Sequence, residues 1–175
     1  MITDEALERV RGWFTGRLPA DWQESAPEIE VDREEITVVL SIADVELAES
    51  GQTGAAELEE ARIGRAKAFR EDTREHRMEI AREAQHRYER KVSWGVRVGE
   101  HSEMFTHLAA PVMTRLRQPE RQVLDTLVDA GVARSRSEAL AWCVRLVGRH
   151  EDDWLGELRD AMTAVADVRA KGPAA

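Results

Sequence analysis

The chain has 175 residues, of which 42% are hydrophobic and 34% are charged. This is the composition of a water-soluble globule, and no apolar run approaches the roughly 20 residues that a membrane helix needs. The formal net charge of −9 argues against indiscriminate nucleic-acid binding, because neutralising phosphates requires a positive surface.

The first half of the chain is predicted to contain a helix and a β-hairpin. Thr3 is typical of a helix N-cap, the acids after it suit the positive end of the helix dipole, and the helix is expected to end near residue 16. The alternating stretch EIEVDREEITVVLSI predicts strands at 28–31 and 35–42, joined as a hairpin. Residues 43–55 are predicted to form a loop or a short helical turn.

The middle of the chain is predicted to be one long helix followed by a strand. From about residue 56 to 90 the apolar side chains recur with the 3.6-residue period of an amphipathic helix, and Gly64 is the expected place for a break. The stretch KVSWGVRVG at 91–99 alternates Val and Trp with other residues, which predicts a strand. Residues 100–110 fit neither pattern.

The last third is predicted to be mainly helical. Residues 112–117 can form a short strand, and Pro119 suits the first turn of a helix that ends at Gly131. Ser135 and Glu138 form an S-x-x-E capping box at the next helix start. A final helix is expected to follow. The buried faces of the three helices are expected to comprise Val123, Leu124, Leu127 and Val128; Leu140, Cys143, Val144 and Val147; and Trp154, Leu158, Met162 and Val165.

Charge is unevenly distributed along the chain. Residues 1–60 contain 16 acids and 4 bases, whereas residues 61–100 contain 11 bases and 7 acids, and residues 101–150 contain 7 bases and 5 acids. The basic middle permits a local anionic partner, and the acidic N-terminal third permits a protein partner.

Two features bear on the cellular compartment. The N-terminal stretch MITDEALERVRGW lacks the basic and apolar regions of a secretory signal. Cys143 is the single cysteine of the sequence, so no intramolecular disulfide framework exists, and a reducing environment fits. The sequence therefore predicts a cytoplasmic protein.

Residues 112–147, VMTRLRQPERQVLDTLVDAGVARSRSEALAWCVRLV, resemble the ribbon-helix-helix family of DNA-binding domains. The shared features are a short strand, a helix that begins at a proline, an L-D-x-L-V-x-A-G helix end and an S-R-S-E-A start to a second helix. The resemblance implies that two chains pair their strands into a ribbon that enters the major groove, while the helices interlock as the core of a homodimer.

The resemblance also implies which side chains meet DNA. The even-numbered residues of the strand would face the dimer core, and the odd-numbered ones would face the base edges. An arginine there can donate two hydrogen bonds to guanine, and an apolar side chain can contact a thymine methyl. The start of the second helix would meet a backbone phosphate. The implied nucleic-acid-binding residues are Met113, Arg115, Arg117, Ser135, Arg136 and Ser137.

Other patterns are better explained without a ligand. The G-x-x-G sequence at 51–54 resembles the nucleic-acid loop of the second type of KH domain, but acids flank it, so a flexible linker is favoured. His76, Glu79, Glu83 and His86 share one face of the long helix at a spacing that can hold a metal, but an ordinary solvated face explains them better. The sequence contains no nucleophile elbow, phosphate-binding glycine loop or dinucleotide fingerprint.

The sequence thus predicts an α+β protein. An N-terminal unit of helix, β-hairpin, long helix and strand occupies 1–110, a mainly helical unit with the ribbon-helix-helix-like segment occupies 111–171, and 172–175 form a tail. The expected function is a dimeric DNA-binding transcriptional regulator, whose partners are double-stranded DNA and a second copy of the chain. The alternative is a non-enzymatic interaction module or adaptor that binds a protein through the acidic N-terminal unit, or a plain helical hairpin packed on the rest of the chain. We expect no cofactor or metal. Because no catalytic motif is found, an enzyme of unrecognised type ranks last among the alternatives.

Overall fold

The computed structural model describes residues 3–22, 24–46 and 54–171. It divides into two compact units, Met1–Pro111 and Val112–Ala175, here called unit 1 and unit 2. Most of the loop predicted at 43–55 lies outside the described residues. No helix within the described ranges has both the length and the apolarity that crossing a bilayer requires.

Unit 1 contains a four-stranded sheet. Its strands are β1 (Glu28–Val31), β2 (Glu35–Ile42), β3 (Lys91–Val98) and β4 (His101–Met104), and they lie in that order across the sheet. β1 and β2 form the predicted antiparallel hairpin, β3 is parallel to β2, and β4 is antiparallel to β3. Two parallel neighbours need a long crossover connection, and the helical stretch between β2 and β3 supplies it.

The helices of unit 1 are α1 (Asp4–Arg17), α2 (Ala55–Asp72) and α3 (Arg74–Tyr88). Thr3 caps α1 as predicted, because its Oγ1 accepts a hydrogen bond from the Ala6 amide at 3.3 Å. The mixed α+β class, with an N-terminal helix, a hairpin and then helices, is confirmed.

The long helix predicted at 56–90 is broken at Thr73 and not at Gly64. The Thr73 hydroxyl donates to the Phe69 carbonyl at 2.6 Å, and its backbone leaves the helical region, with φ −93° and ψ 1°. Arg77 donates to the Thr73 hydroxyl at 2.9 Å and to the Arg70 carbonyl at 2.7 Å across the break. A threonine that bonds back to the preceding turn commonly bends a helix, whereas an exposed glycine only lowers its stability.

The core of unit 1 lies between the sheet and its helices. Buried side chains alternate along β2, and the parallel register sets Val38 beside Trp94 and Leu40 beside Val96, so one face of both strands is buried. On the other face, a Cβ added to Gly95 would lie 2.5 Å from Met104 Sδ. The buried apolar residues of this core are Val10, Phe14, Leu18, Trp22, Ile29, Ile36, Val38, Leu40, Ile42, Ala66, Ile80, Ala84, Trp94, Val96, Val98 and Phe105.

Unit 2 consists of α4 (Gln118–Asp129), α5 (Arg136–His150) and α6 (Asp152–Lys171). α4 begins next to Pro119, and the turn after it contains Gly131 in the left-handed region at φ +73°, which a side chain rarely adopts. Leu124, Ala133 and Ala139 are buried together. This core is small for three helices that span most of 54 residues.

Two predictions for unit 2 are wrong for the single chain. Residues 112–117 form no regular strand, since a strand needs a neighbour to accept its hydrogen bonds and none of the described residues offers one. The expected buried faces are also largely exposed. The exposed members are Val123, Val144, Val147, Trp154, Leu158, Met162 and Val165. The 3.6-residue period identified the apolar faces of these helices, but it could not show how little of them the packing within unit 2 covers.

Candidate nucleic-acid interface

All six residues implied by the ribbon-helix-helix resemblance lie in unit 2, at two places. Met113, Arg115 and Arg117 belong to the irregular segment 112–117 ahead of α4. The other three lie at the start of α5, where Ser135 is the N-cap and the next two residues form the first turn. All six residues are exposed.

The segment 112–117 is held only at its C-terminal end. Val112 is 87% exposed and Met113 is 96% exposed. Within the described part of the chain, the backbone of residues 112–115 makes no hydrogen bond. Leu116, in contrast, packs on the apolar cluster of α4 and α5, as expected for an inward-facing residue of the strand. The segment therefore presents free backbone donors and acceptors next to an anchored end.

Two arginines fix the junction between this segment and α4. The Arg117 amide donates to the Glu120 carboxylate, which closes the first turn of the helix. The Arg121 guanidinium donates to the Leu116 carbonyl, with 2.7 Å between Nη1 and O. Among the described residues, neither Arg115 nor Arg117 forms an ion pair, so both guanidinium groups are available to an external anion.

The turn ahead of α5 contains a carboxylate as well as hydroxyl groups. Ser135 Oγ accepts a hydrogen bond from the Glu138 amide at 3.2 Å, which is half of the predicted capping box. The Glu138 carboxylate accepts from the Arg134 amide at 2.7 Å and from its guanidinium at 3.1 Å. These bonds with Arg134 lower the pKa of Glu138, so the carboxylate stays ionised. A phosphate approaching this turn would meet that negative charge.

Arg136 ties α5 to α4. Its Nε and Nη2 donate to the two carboxylate oxygens of Asp125, at 2.6 Å and 2.7 Å. This fork geometry is the strong form of an arginine–carboxylate pair, and it lowers the pKa of Asp125. The residues left free for a phosphate at this turn are the exposed serines, chiefly Ser137, together with the unused edge of the guanidinium.

Other candidates in unit 1 have structural partners. Glu83 accepts two hydrogen bonds from Arg17, at 2.7 Å and 2.8 Å, and the His76 ring packs edge-on against Trp22 with 5.0 Å between centroids. Across the described ranges, no three His, Cys, Asp or Glu side chains cluster as metal ligands would. Residues 51–53 of the G-x-x-G sequence lie outside the described residues.

Unit 1 also contains a cluster of basic side chains that was not predicted from the sequence. Arg70, Arg74 and Arg77 line one cleft beside Phe105. In an unbroken helix, their spacing of four and then three residues would put them on one face. In the structure, Arg70 belongs to α2, and Arg74 and Arg77 belong to α3. That spacing was visible in the sequence, but nothing in the sequence showed that Arg77 is buried.

Two family models match the chain, one for each unit. The model described as "Rv1265-like protein, N-terminal domain" matches residues 8–104, and the "Mb1296 C-terminal domain" matches residues 117–169. Similar curated proteins include "Uncharacterized protein Rv1265" of Mycobacterium tuberculosis and "Uncharacterized protein Mb1296" of Mycobacterium bovis. Each is 60% identical over 161 residues, which cover 92% of this chain and 69% of the relative. No solved structure matches significantly. The chain therefore belongs to the Rv1265-like family.

Proposed function

We propose that the protein is a cytoplasmic, dimeric, DNA-binding transcriptional regulator that contacts duplex DNA through residues 112–117 and the start of α5. This proposal rests mainly on the exposure and the unpaired backbone of the segment 112–117. It is exposed, its backbone groups from 112 to 115 are unpaired within the described chain, and its end is anchored on α4 and α5. A second copy of the segment would supply the missing hydrogen bonds by antiparallel pairing.

The apolar surface of unit 2 supports a dimer. Val144 is 64% exposed, and Val123 and Val147 are also exposed, although all three lie on the helices that pack around Leu124. Exposed apolar surface favours association, because leaving it in water costs free energy that burial recovers. Interlocked helices from two copies would bury these valines.

The chemistry of the segment supports DNA as the ligand. In a paired ribbon, Met113, Arg115 and Arg117 would project from one face, because side chains alternate along a strand. The two arginines have no acidic partner among the described residues, and two copies would double the positive charge on that face. A two-stranded ribbon fits the major groove, where arginine and a flexible apolar side chain both find partners on base edges.

The adaptor alternative has less support. Two acids of the N-terminal third form ion pairs with arginines further along the chain, Glu28 with Arg97 and Asp44 with Arg62. These pairs use part of the negative surplus that suggested a protein partner.

The direct test is binding of the full chain to a mixed-sequence DNA duplex, measured by fluorescence anisotropy over a range of salt concentrations. We expect affinity to fall steeply with salt, because each neutralised phosphate releases counterions. Arg115→Ala should weaken binding by about 1–3 kcal/mol, or roughly 5- to 150-fold, as expected for a base-contacting arginine.

Arg149→Ala is the matched control, because it removes an exposed arginine from the far end of α5. It should leave binding within about twofold of the wild type, which is the scale of a remote surface charge at moderate salt. Absence of duplex binding at low salt, or equal loss in both variants, would refute the proposed interface.

A further inference from the structure

Unit 1 contains a cleft of about 290 Å³ with a strongly basic lining. Arg70 at the end of α2 and Arg74 and Arg77 in α3 contribute the charge. The remaining lining is mostly apolar, with one hydroxyl, and comes from α3, β3 and the two residues after β4. These residues are Met78, Ala81, Val92, Trp94, Phe105 and Thr106. The volume is at the lower end of the range for small-molecule sites.

Arg77 is the unusual member of this lining because it is a buried cation without an acid. Its exposed fraction is 6%, and no carboxylate within the described ranges pairs with it. Burial, together with the positive charges of Arg70 and Arg74, lowers the pKa of Arg77 to about 10. The side chain is therefore still charged at neutral pH, where an uncompensated buried charge is costly.

The hydrogen bonds of Arg77 leave part of its guanidinium group unused. Nε donates to the Thr73 hydroxyl and Nη2 donates to the Arg70 carbonyl. These two bonds stabilise the break between the helices, but a guanidinium group has five N–H donors. These two hydrogen bonds explain the position of Arg77, but they leave its positive charge uncompensated. An anion bound in the cleft would compensate that charge.

The aromatic wall of the cleft completes the arrangement. The Arg77 guanidinium carbon lies 4.8 Å from the centre of the Phe105 ring, and that of Arg70 lies 5.7 Å from it. Trp94 is 3% exposed, and its indole N–H is buried with no acceptor among the described residues. The cleft thus combines several donors with flat apolar surface. Arg70 forms a long, exposed ion pair with Glu103, at 3.9 Å.

We propose that this cleft binds a small organic oxyanion, a carboxylate or a phosphate carried on a flat apolar body. The charged end would lie among Arg70, Arg74 and Arg77, and the apolar body would lie against Phe105 and Trp94. Arginine suits both carboxylate and phosphate, because its planar fork donates two parallel hydrogen bonds. The site lies within unit 1 and is independent of the proposed DNA interface in unit 2.

The test is isothermal titration of the full chain with four probes: benzoate, phenyl phosphate, inorganic phosphate and benzyl alcohol. We expect one or both aromatic anions to bind with a dissociation constant of about 1 mM or lower. Inorganic phosphate and the neutral alcohol should each bind at least about tenfold more weakly, because each lacks one half of the recognised chemistry. Comparison of benzoate with phenyl phosphate distinguishes the two kinds of oxyanion.

Three variants connect the binding to the cleft. Arg77→Met and Arg74→Met should each weaken binding of the aromatic anion at least about tenfold. Arg74 is exposed, so its variant keeps the test valid if Arg77→Met does not fold. Arg82→Met is the control, because it removes an exposed arginine from the same helix outside the cleft.

Several results would overturn the proposal. Failure of both aromatic anions to bind at about 10 mM would exclude the site. Equal binding of benzyl alcohol would show an apolar pocket without anion selectivity. Equal binding of inorganic phosphate would exclude recognition of the apolar body. Equal loss in Arg82→Met would mean that only general surface charge is involved.

Discussion

Single ion pairs connect the acidic N-terminal third of the chain to its basic middle. Arg62 donates to both carboxylate oxygens of Asp44, at 2.9 Å and 2.5 Å, and the Val45 amide adds a third hydrogen bond. These bonds, chiefly those from Arg62, lower the pKa of Asp44 from 3.8 to about 2. Gly99, at φ +53°, lies against this pair, and an added Cβ there would clash with the Asp44 carboxylate. The absence of a side chain at Gly99 therefore leaves room for the Asp44–Arg62 ion pair.

The low pKa of Asp44 makes a pH-dependent contribution to stability. A carboxyl group whose pKa is lowered by folding stabilises the folded state above its unfolded pKa, and this contribution is lost as pH falls through the folded value. In Asp44→Asn we expect lower stability than in the wild type above about pH 4, and a difference that shrinks between pH 4 and 2. Urea unfolding at a series of pH values measures this difference.

Glu8→Gln is the control for net charge, because it removes an exposed acid that has no ion-pair partner among the described residues. A constant difference between wild type and Asp44→Asn from pH 6 down to about 2 would contradict the assignment of the low pKa.

Among the elements, α5 depends on its first turn. The Ser135 hydroxyl accepts a hydrogen bond from the Glu138 amide, and the Glu138 carboxylate accepts one from the Arg134 amide. Both amides therefore have acceptors, although the helix itself offers none at its N-terminal end. The sequence predicted this start from the S-x-x-E spacing. The structure adds that the reciprocal bond goes to residue 134 and that Arg136 joins α5 to α4.

Removal of the cap should loosen the whole helix start. Ser135→Ala should destabilise α5 by about 1 kcal/mol, the typical value for loss of a serine N-cap. Hydrogen–deuterium exchange of the α5 amides should therefore become faster. Ser137→Ala, two residues later and exposed, is the matched control and should change stability by less than about 0.5 kcal/mol. Equal exchange in the two variants would show that the cap contributes little.

At the scale of the whole molecule, the small hydrophobic core of unit 2 is the feature that most favours association. Only Leu124, Ala133 and Ala139 are buried among its described residues, while valines of α4 and α5 are exposed. Helices obtain most of their stability from packing of an apolar face. Association would therefore stabilise unit 2, in agreement with the dimer proposed above.

A charge on the exposed apolar surface should prevent association. We expect Val144→Glu to weaken the dimer at least about tenfold, because a carboxylate buried in an apolar contact has no compensating partner. Sedimentation velocity of the full chain over a range of concentrations measures the change. Ile63→Glu, an exposed apolar position of unit 1, is the control and should leave the dimer intact. A wild-type protein that remains monomeric at about 100 μM would contradict the proposal.

Much of the local structure follows from the sequence. The strands β1 and β2 have the predicted bounds, because alternation of Ile and Val with polar residues is a strong signal when one face is buried. Thr3 and Ser135 cap their helices as predicted, since capping depends on residues three positions apart. In contrast, β4 was not predicted, because its four residues HSEM show no alternation and depend on pairing with β3.

By itself, the sequence determined where most helices and strands begin, which faces are apolar and how charge is distributed, because these depend on near neighbours in the chain. Only the tertiary structure decided that β3 pairs parallel to β2, that the long helix breaks at Thr73, and that Arg77 is a buried cation in a basic cleft. It also showed that the three helices of unit 2 leave much of their apolar surface exposed. These features depend on contacts between residues far apart in sequence, or on the absence of such contacts, and no local pattern records either.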